Sequence, residues 1–331
     1  MTSISLLVIN YRSSALAADA IATARAASSR PLQTIVVDNS VDAAEADALR
    51  GIADTLIVSS RNVGYGAGIN AGRRVCDGEV IVVSNPDVRF SEKSVDRLVD
   101  ADAAVAGPAL FWDDAHRWML PPAELHTKWA VISRAAASRS RTWARRRGRK
   151  RFLDRVAFWS LDRTVAVEAL SGAVMAIRAS AFDAAGGFDE RFPLYFEEND
   201  FLRRVRGGIV YVPSASCRHL YNQSAAGSPE AASLYARSEM LYLRKWGGAF
   251  AKRFEARLQP AAADGGDSGD SVLEASPLPT FETAAGRFGD DVSDISEDIW
   301  STYRGDVLYL RAVDRQSGRV LRSWTKARIP A

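Results

Sequence analysis

Residues 4–40 read ISLLVINYRSSALAADAIATARAASSRPLQTIVVDNS, and this stretch decides the fold class. It opens on an apolar, largely β-branched run at 4–9. An Ala-rich stretch with helical spacing follows at 15–27, and a second β-rich run at 34–37. Unbroken hydrophobic runs of strand length mark strands covered on both faces. The rhythm continues, with strand-like runs at 55–58 and 79–83 and helical stretches at 43–49 and 67–75. Such alternation predicts right-handed βαβ units around a parallel sheet. Sheets of this kind bind ligands outside the carboxyl ends of their strands. Asn10 and Tyr11, then Asp38, Asn39 and Ser40, then Ser60, Arg61 and Asn62, then Ser84, Asn85, Pro86 and Asp87 fall there. Strand ends must also turn, and Asn, Asp and Ser suit turns for that reason alone.

After Leu110 the rhythm breaks. Residues 111–165 are rich in Trp and Arg and carry no clear period. Order returns with a strand at 169–178, a short helix, a helix through 201–205, a strand at 209–213 and a helix over 229–246. Gly265-Gly266, Ser268-Gly269, Pro277 and Pro279 give residues 251–280 the composition of a linker. Residues 307–324, turning at Gln316-Ser317-Gly318, read as a β-hairpin.

Composition bounds the function. The chain has 331 residues, 47% hydrophobic and 25% charged, with a formal net charge of +3, too small an excess to point to nucleic acid. The charge is segregated, however. Arg139, Arg141, Arg145, Arg146, Arg147, Arg149, Lys150 and Arg151 crowd one stretch, whereas residues 264–306 are acidic. Two distant cysteines, Cys76 and Cys217, imply no disulfide framework and fit a reducing compartment. The N-terminus has no cationic leader, and no apolar run approaches the roughly 20 residues of a spanning helix. The expectation is a cytoplasmic protein, at most peripheral at the cytoplasmic face of a membrane.

The richest chemistry lies at Gly186-Gly187-Phe188-Asp189-Glu190-Arg191-Phe192-Pro193-Leu194-Tyr195-Phe196-Glu197-Glu198-Asn199-Asp200. Three acids occupy four positions directly after an aromatic run. A carboxylate against apolar walls can have its pKa raised enough to act as a base near neutral pH. The same acids would also suit the solvated first turn of a helix.

Short motifs then fall in a fixed order: Val8-Ile9-Asn10-Tyr11; Val36-Val37-Asp38-Asn39-Ser40; Asn62-Val63-Gly64-Tyr65-Gly66-Ala67-Gly68-Ile69-Asn70; Ser84-Asn85-Pro86-Asp87; and Ser171-Gly172-Ala173-Val174-Met175-Ala176-Ile177-Arg178 before the acidic cluster. Over roughly residues 4–246 the series resembles the family-2 inverting glycosyltransferases, in particular the bacterial branch with rhamnosyltransferases and galactofuranosyltransferases. The resemblance implies an α/β chain of the GT-A type. A mostly parallel β-sheet flanked by helices would span 1–250, with 111–165 as an insert. The linker and a C-terminal extension, 281–331, would follow.

It also implies roles. Asn10, Tyr11, Asp38 and Asn39 would line the nucleotide, with Asp38 accepting ribose hydroxyls; Asn62, Gly64 and Asn70 would frame the adjoining loop. Asn85-Pro86-Asp87 stands where the family has Asp-x-Asp. Asp87 would hold Mg2+ or Mn2+, with Asn85 assisting and His219 as a further ligand. Glu198 stands where the family usually has the Asp base, with Glu197 and Asp200 as alternatives. The donor would be a nucleotide-diphospho-sugar, dTDP-L-rhamnose before a UDP-sugar. The acceptor would be a glycan or polyprenyl-diphosphate-linked sugar of cell-envelope polysaccharide synthesis.

Two other readings remain open. Gly66-Ala67-Gly68-Ile69-Asn70-Ala71, with Asp87 beyond it, fits a loose dinucleotide-binding pattern of an NAD-dependent dehydrogenase. Asn85 and Glu198, at positions where the family usually has Asp, would also suit a non-catalytic nucleotide-sugar binder. Aromatics among the arginines of 128–159 suit an anionic membrane surface, or a solvated basic loop.

Overall fold

The computed structural model describes residues 2–220, 229–260, 263–266, 269–289 and 295–328. Strands β1 (Ile4–Asn10), β2 (Leu32–Asp38), β3 (Thr55–Val58) and β4 (Val80–Ser84) alternate with helices α1 (Ser14–Ala26), α2 (Ala43–Leu49) and α3 (Tyr65–Arg73). Strand β5 (Val88–Phe90), helix α4 (Ser94–Val99) and β6 (Val105–Phe111) follow, then helices α5 (Lys128–Arg139) and α6 (Arg141–Trp159). The second half runs β7 (Val165–Ala166), β8 (Val174–Arg178), α7 (Ala179–Ala184), α8 (Glu197–Leu202), β9 (Ile209–His219), α9 (Pro229–Trp246) and α10 (Ala249–Lys252). The C-terminal unit holds β10 (Ser271–Ser276), β11 (Ala285–Phe288), α11 (Glu297–Thr302), β12 (Val307–Asp314) and β13 (Val320–Ala327).

The main sheet has the order β3-β2-β1-β4-β8-β6-β9-β5, with β7 beside β9. Strands β1 to β4 are mutually parallel, and β8 lies antiparallel between β4 and β6. Alternate residues of β1 enter different cores. Leu6 and Val8 pack with α1 and α4 on one face, Leu7 and Ile9 with α3 and Phe188 on the other. Burial on both faces is why the strand reads as an unbroken apolar run. Chain order reverses at β1, between β2 and β4, so the crevice at its carboxyl end is a topological switch point.

Strand β9 runs past Pro213, where the sequence suggested an end. Its register with β6 slips between Pro108/Val212 and Ala109/Ser216, so residues 213–215 bulge out and the strand resumes. A bulge tolerates a proline that cannot donate to the ladder. The resumed segment carries His219 beside Val88.

Three further expectations are corrected. Residues 111–165 contain two ordered helices, each opened by a side-chain cap: Thr127 Oγ1 accepts from Ala130 N and Ser140 Oγ from Trp143 N. The linker expected over 251–280 becomes strand β10 from Ser271, buried along most of its length. The C-terminal extension is a four-stranded antiparallel sheet, β11-β10-β12-β13, rather than a hairpin alone. The acidic residues Asp267, Asp290, Asp291 and Asp294 lie outside the described residues.

That second sheet is sandwiched. Leu273, Leu308 and Leu310 pack on Trp112 and Trp118, while Val272, Val313 and Val320 pack on Phe152 and Trp159 of α6. Met119 exchanges backbone hydrogen bonds of 2.8 and 2.9 Å with Gly286, tying the segment after β6 to β11. Between sheet and helix, Glu274 is fully buried. It accepts from Arg155 Nε at 2.9 Å and from Arg311 Nε at 2.7 Å. Burial alone would raise the Glu274 pKa, but the two guanidinium groups hold it below its ordinary value. Removing one partner of such a cluster strands buried charge at a cost of about 3–5 kcal/mol. Glu274→Ala is therefore expected to lose about 3–5 kcal/mol of unfolding free energy in urea titration. A loss below about 1 kcal/mol, the scale of an exposed pair, would contradict this.

Candidate active site

At the carboxyl ends of β1 and β2, Asn10, Asp38 and Asn39 are all buried. Asn10 Nδ2 donates to Asp38 Oδ1 at 3.0 Å, to Ser40 Oγ at 3.2 Å and to Glu45 Oε2 at 3.2 Å. Asn39 Nδ2 donates to Gly64 O at 3.0 Å. These bonds fix the side chains yet leave Asn10 Oδ1, Asp38 Oδ2 and Asn39 Oδ1 without partners. A buried acceptor left unpaired costs about 1–3 kcal/mol, so three at the carboxyl ends of β1 and β2 are a concentration of unmet acceptors. Tyr11 stands at the rim, about half exposed.

Glycine is needed at position 64. Its φ is +91°, and a Cβ there would approach Pro193 O to 2.5 Å. Asn62 Oδ1 accepts from Gly64 N at 3.0 Å and shapes this turn. Gly66 and Gly68 lie inside α3 instead, where a Cβ would crowd Phe188 and Ile9. They serve helix packing rather than a phosphate cradle, which does not favour the dehydrogenase reading. Asn70 is committed to the backbone of Phe188: Nδ2 donates to Phe188 O at 2.9 Å and Oδ1 accepts from Phe188 N at 2.9 Å. Both amide atoms thus fasten α3 to the glycine turn at 186–187.

Asp87 follows β4 and is largely buried, with His219 Nε2 at 3.4 Å from its Oδ1. Burial would raise its pKa, but His219 and Arg304 hold the carboxyl below its ordinary value. Asn85 N donates to Ala173 O at 2.8 Å, setting this turn against the start of β8. Asp87 and His219 form a two-member donor set; among the described residues no cluster of three His, Cys, Asp or Glu could hold a metal.

The acidic cluster opens α8. Tyr195 and Phe196 precede it with φ of +70° and +68°, a left-handed pair unusual for bulky residues. Phe196 is held there against His126, Tyr235 and Tyr242. The three acids then part company. Asp200 is fully buried and committed to Lys245 at 2.7 Å, Arg204 at 3.1 Å and Trp246 Nε1 at 2.8 Å, which joins α8 to α9. Glu197 is buried with Oε2 unpaired, and burial, reinforced by Glu198, raises its pKa well above the ordinary value. Glu198 is partly exposed, accepts from Asn199 Nδ2 at 3.1 Å, and has its pKa raised by burial.

Tyr65 ties these parts together. Its hydroxyl donates to Gly172 O at 2.7 Å, and a Cβ on Gly172 would sit 3.4 Å from Glu198 Cβ. Burial raises the Tyr65 pKa well above the ordinary 10.0, and the charges of Glu197, Glu198 and Asp87 raise it further. One phenol therefore lies in the field of both the Asp87 turn and the acidic cluster. Tyr65 sat within a quoted motif, but no role for it was evident from sequence. Arg304 had no sequence signal, since it belongs to the C-terminal unit.

The carboxyl ends of the central strands and the start of α8 thus carry unpaired acceptors, a paired Asp and His, and a carboxylate of raised pKa. Residues 5–154 match the family model described as glycosyl transferase family 2. Over that segment the chain is similar to the family-2 glycosyltransferases. Over 243 residues the chain is 29% identical to the N-acetylglucosaminyl-diphospho-decaprenol L-rhamnosyltransferase of Mycobacterium tuberculosis, covering 66% of this chain and 75% of that protein. Among solved structures it is similar to the mannosyltransferase PcManGT from Pyrobaculum calidifontis in complex with GDP-Man and Mn2+. There the identity is 12% and the TM-score 0.45, over 77% of this chain and 73% of that one. It is also similar to GalNAc-T7 with UDP, GalNAc and Mn2+, at 12% identity and a TM-score of 0.44; the match covers 66% of this chain and only 44% of that one.

The Glu197 pKa gives a stability prediction. Its folded-state value lies above its unfolded value, so its contribution is fully present in acid and is lost as pH rises through the folded value. Glu197→Gln mimics the protonated form. Its melting temperature is expected to exceed that of the parent increasingly from pH 5 to pH 9, by differential scanning calorimetry. A gap that narrows with pH would contradict the assignment.

Proposed function

We propose that this chain moves L-rhamnose, with inversion, from a nucleoside-diphosphate donor to a polyprenyl-diphosphate-linked sugar in cell-envelope synthesis. The observation that supports the mechanism is the Tyr65 hydroxyl, which bonds Gly172 O beside Glu198 and also feels the charge of Asp87. The M. tuberculosis relative, named for a decaprenol-linked acceptor and L-rhamnose, supports the choice of substrates.

The donor's base and ribose fit the edge formed by Asn10, Asp38 and Asn39, whose unpaired oxygens accept from ribose hydroxyls and base N–H groups. Its diphosphate then lies toward Asp87, His219 and Arg304. Mg2+ or Mn2+ fits Asp87 and His219, since a hard cation accepts few protein ligands and fills its shell with phosphate oxygens and water. When bound, the cation neutralises charge on the departing diphosphate. Glu198, the one acid of the three that is neither fully buried nor committed to cations, takes the proton of the acceptor hydroxyl. The acceptor oxygen forms its bond to the anomeric carbon as the bond to the diphosphate breaks on the opposite side. Alignment and fixed charges supply most of the acceleration.

Glu198→Gln is expected to lower kcat by about 10²- to 10⁴-fold while donor-induced thermal stabilisation persists. Asp87→Asn is expected to abolish the divalent-dependent part of that stabilisation. Because the Glu198 pKa is raised and the ionised form is the base, the acid limb of the pH–rate profile should lie above the ordinary 4.5. Normal turnover by Glu198→Gln removes it as the base. Stabilisation by UDP-sugars but not dTDP-L-rhamnose would replace the proposed donor.

Arg304 gives a separate test. It is exposed, with no ion pair among the described residues, yet its charge reaches Asp87. Arg304→Ala is expected to weaken donor binding roughly tenfold, the scale of one hydrogen bond to a charged group. The measurement is calorimetric titration with the nucleoside diphosphate and divalent cation. Unchanged affinity would place the C-terminal unit outside the donor site.

A further inference from the structure

We propose that the outer face formed by α5, the first turn of α6 and α10 with its following turn docks on an anionic lipid bilayer. The proposal rests on the reading above only in taking the acceptor to be lipid-linked. Four large aromatic side chains stand open on this face: Trp129 at 68%, Phe254 at 58%, Phe250 at 57% and Trp143 at 52% exposure. Phe250 in α10 and Phe254 in the turn after it are both open, while Ala251 between them is buried. Trp129 likewise lies opposite Val131, which is buried against the aromatic core that includes Phe192 and Phe196.

The face is fixed. Arg139 Nε donates to Phe254 O at 2.7 Å, and Ala256 N donates to Ser138 Oγ at 2.9 Å. At the other end of α5, a Cβ on Gly248 would sit 3.2 Å from Lys128 Cα. The segment 248–256 thus runs along the whole of α5, and the aromatics project from a packed layer.

Charge selects the occupant. Lys128, Arg141, Arg145, Arg146, Arg253 and Arg257 are exposed around the aromatics, with no ion pair among the described residues. The nearby acids are consumed on the inner side. Glu255 pairs with Arg134 at 2.8 Å and Lys252 at 2.9 Å, and Glu239 pairs with Lys252 at 2.8 Å. Aromatics ringed by cations without acids match a bilayer interface, where rings sit at headgroup depth and cations meet anionic lipid. A second copy of this chain is disfavoured, since apposed faces would repel. The inner side of α5 packs on Phe192 and Phe196, which lead into Glu198, so docking would set the acceptor side of the pocket toward the lipid.

The test is flotation of the full chain with vesicles of phosphatidylcholine, with and without one-third phosphatidylglycerol, and no donor or acceptor present. Binding is expected only to the anionic vesicles. Trp129→Ser/Phe250→Ser/Phe254→Ser should cut the bound fraction at least tenfold without changing thermal unfolding. Phe254→Ser alone should give a smaller loss in the same direction. Arg141→Glu/Arg145→Glu/Arg146→Glu should abolish the preference for anionic lipid. The proposal is overturned if the parent chain does not float, or if the serine variants float like the parent. It is equally overturned if the parent is a dimer that those variants dissociate in the absence of lipid. None of these results depends on transfer chemistry, so rhamnosyl transfer to a water-soluble acceptor analogue remains separately measurable.

Discussion

The hydrogen bond from the Tyr65 hydroxyl to the Gly172 carbonyl joins the two halves on which the site depends. Tyr65 opens α3, in the parallel half that presents Asn10, Asp38 and Asn39. Gly172 leads into β8, which runs antiparallel to β4, and lies against Glu198. The two halves are also linked through Asn70, whose amide grips the turn at Phe188 on the other side of α3. With the first residue and the middle of α3 fastened to the segments that lead to the acids, the distance between donor edge and acid cluster is set by the scaffold. Catalysis by alignment needs that kind of rigidity, since displacement of a reacting group by about 1 Å costs about 10²-fold.

Within this frame the acids have been given unequal environments. Asp200 is compensated by Lys245, Arg204 and the Trp246 N–H, and serves as a structural pin between α8 and α9. Glu197 has burial without compensation, which favours its neutral form. Glu198 is left as the acid with an open side, and its raised pKa stems first from burial. Asp87 shows the opposite balance, with cations outweighing its burial. A site that must hold a diphosphate at one end and take up a proton at the other benefits from that contrast.

The sequence disclosed the parallel half because burial on both faces leaves a local record: β1 to β4 are apolar runs ending in polar turns. It disclosed the acidic cluster for the same reason, since the aromatics that bury it are adjacent in the chain. Sorting the three acids was beyond it, because Lys245 and Trp246 reach Asp200 from a helix over 40 residues away. Asn70 looked like part of a glycine-rich nucleotide loop, but its partners lie 118 residues on. Strand β9 was cut short at Pro213 because a bulge has no signature beyond the proline itself. The order in residues 111–165 and 271–276 was hidden because each segment depends on the other for burial.

That mutual dependence explains the arginine run. Helix α6 lays Phe152 and Trp159 on the C-terminal sheet, and Gly286 lets the indole of Trp159 lie against strand β11, where a Cβ would approach it to 2.2 Å. Arginines on the i, i+4, i+8 stripe of this helix are used: Arg155 by Glu274, Arg147 by Glu282, and Arg151 by Glu124. Off that stripe, at the N-terminal end of the helix, Arg141, Arg145 and Arg146 have no such partners among the described residues. A helix of 3.6 residues per turn divides a continuous cationic run between two faces. The inner set neutralises the acids of the C-terminal sheet and so fixes the unit that carries Arg304. The outer set stays available for an external anion. The basic insert and the acidic tail, which look like separate solvated segments in the sequence, thus hold each other in place.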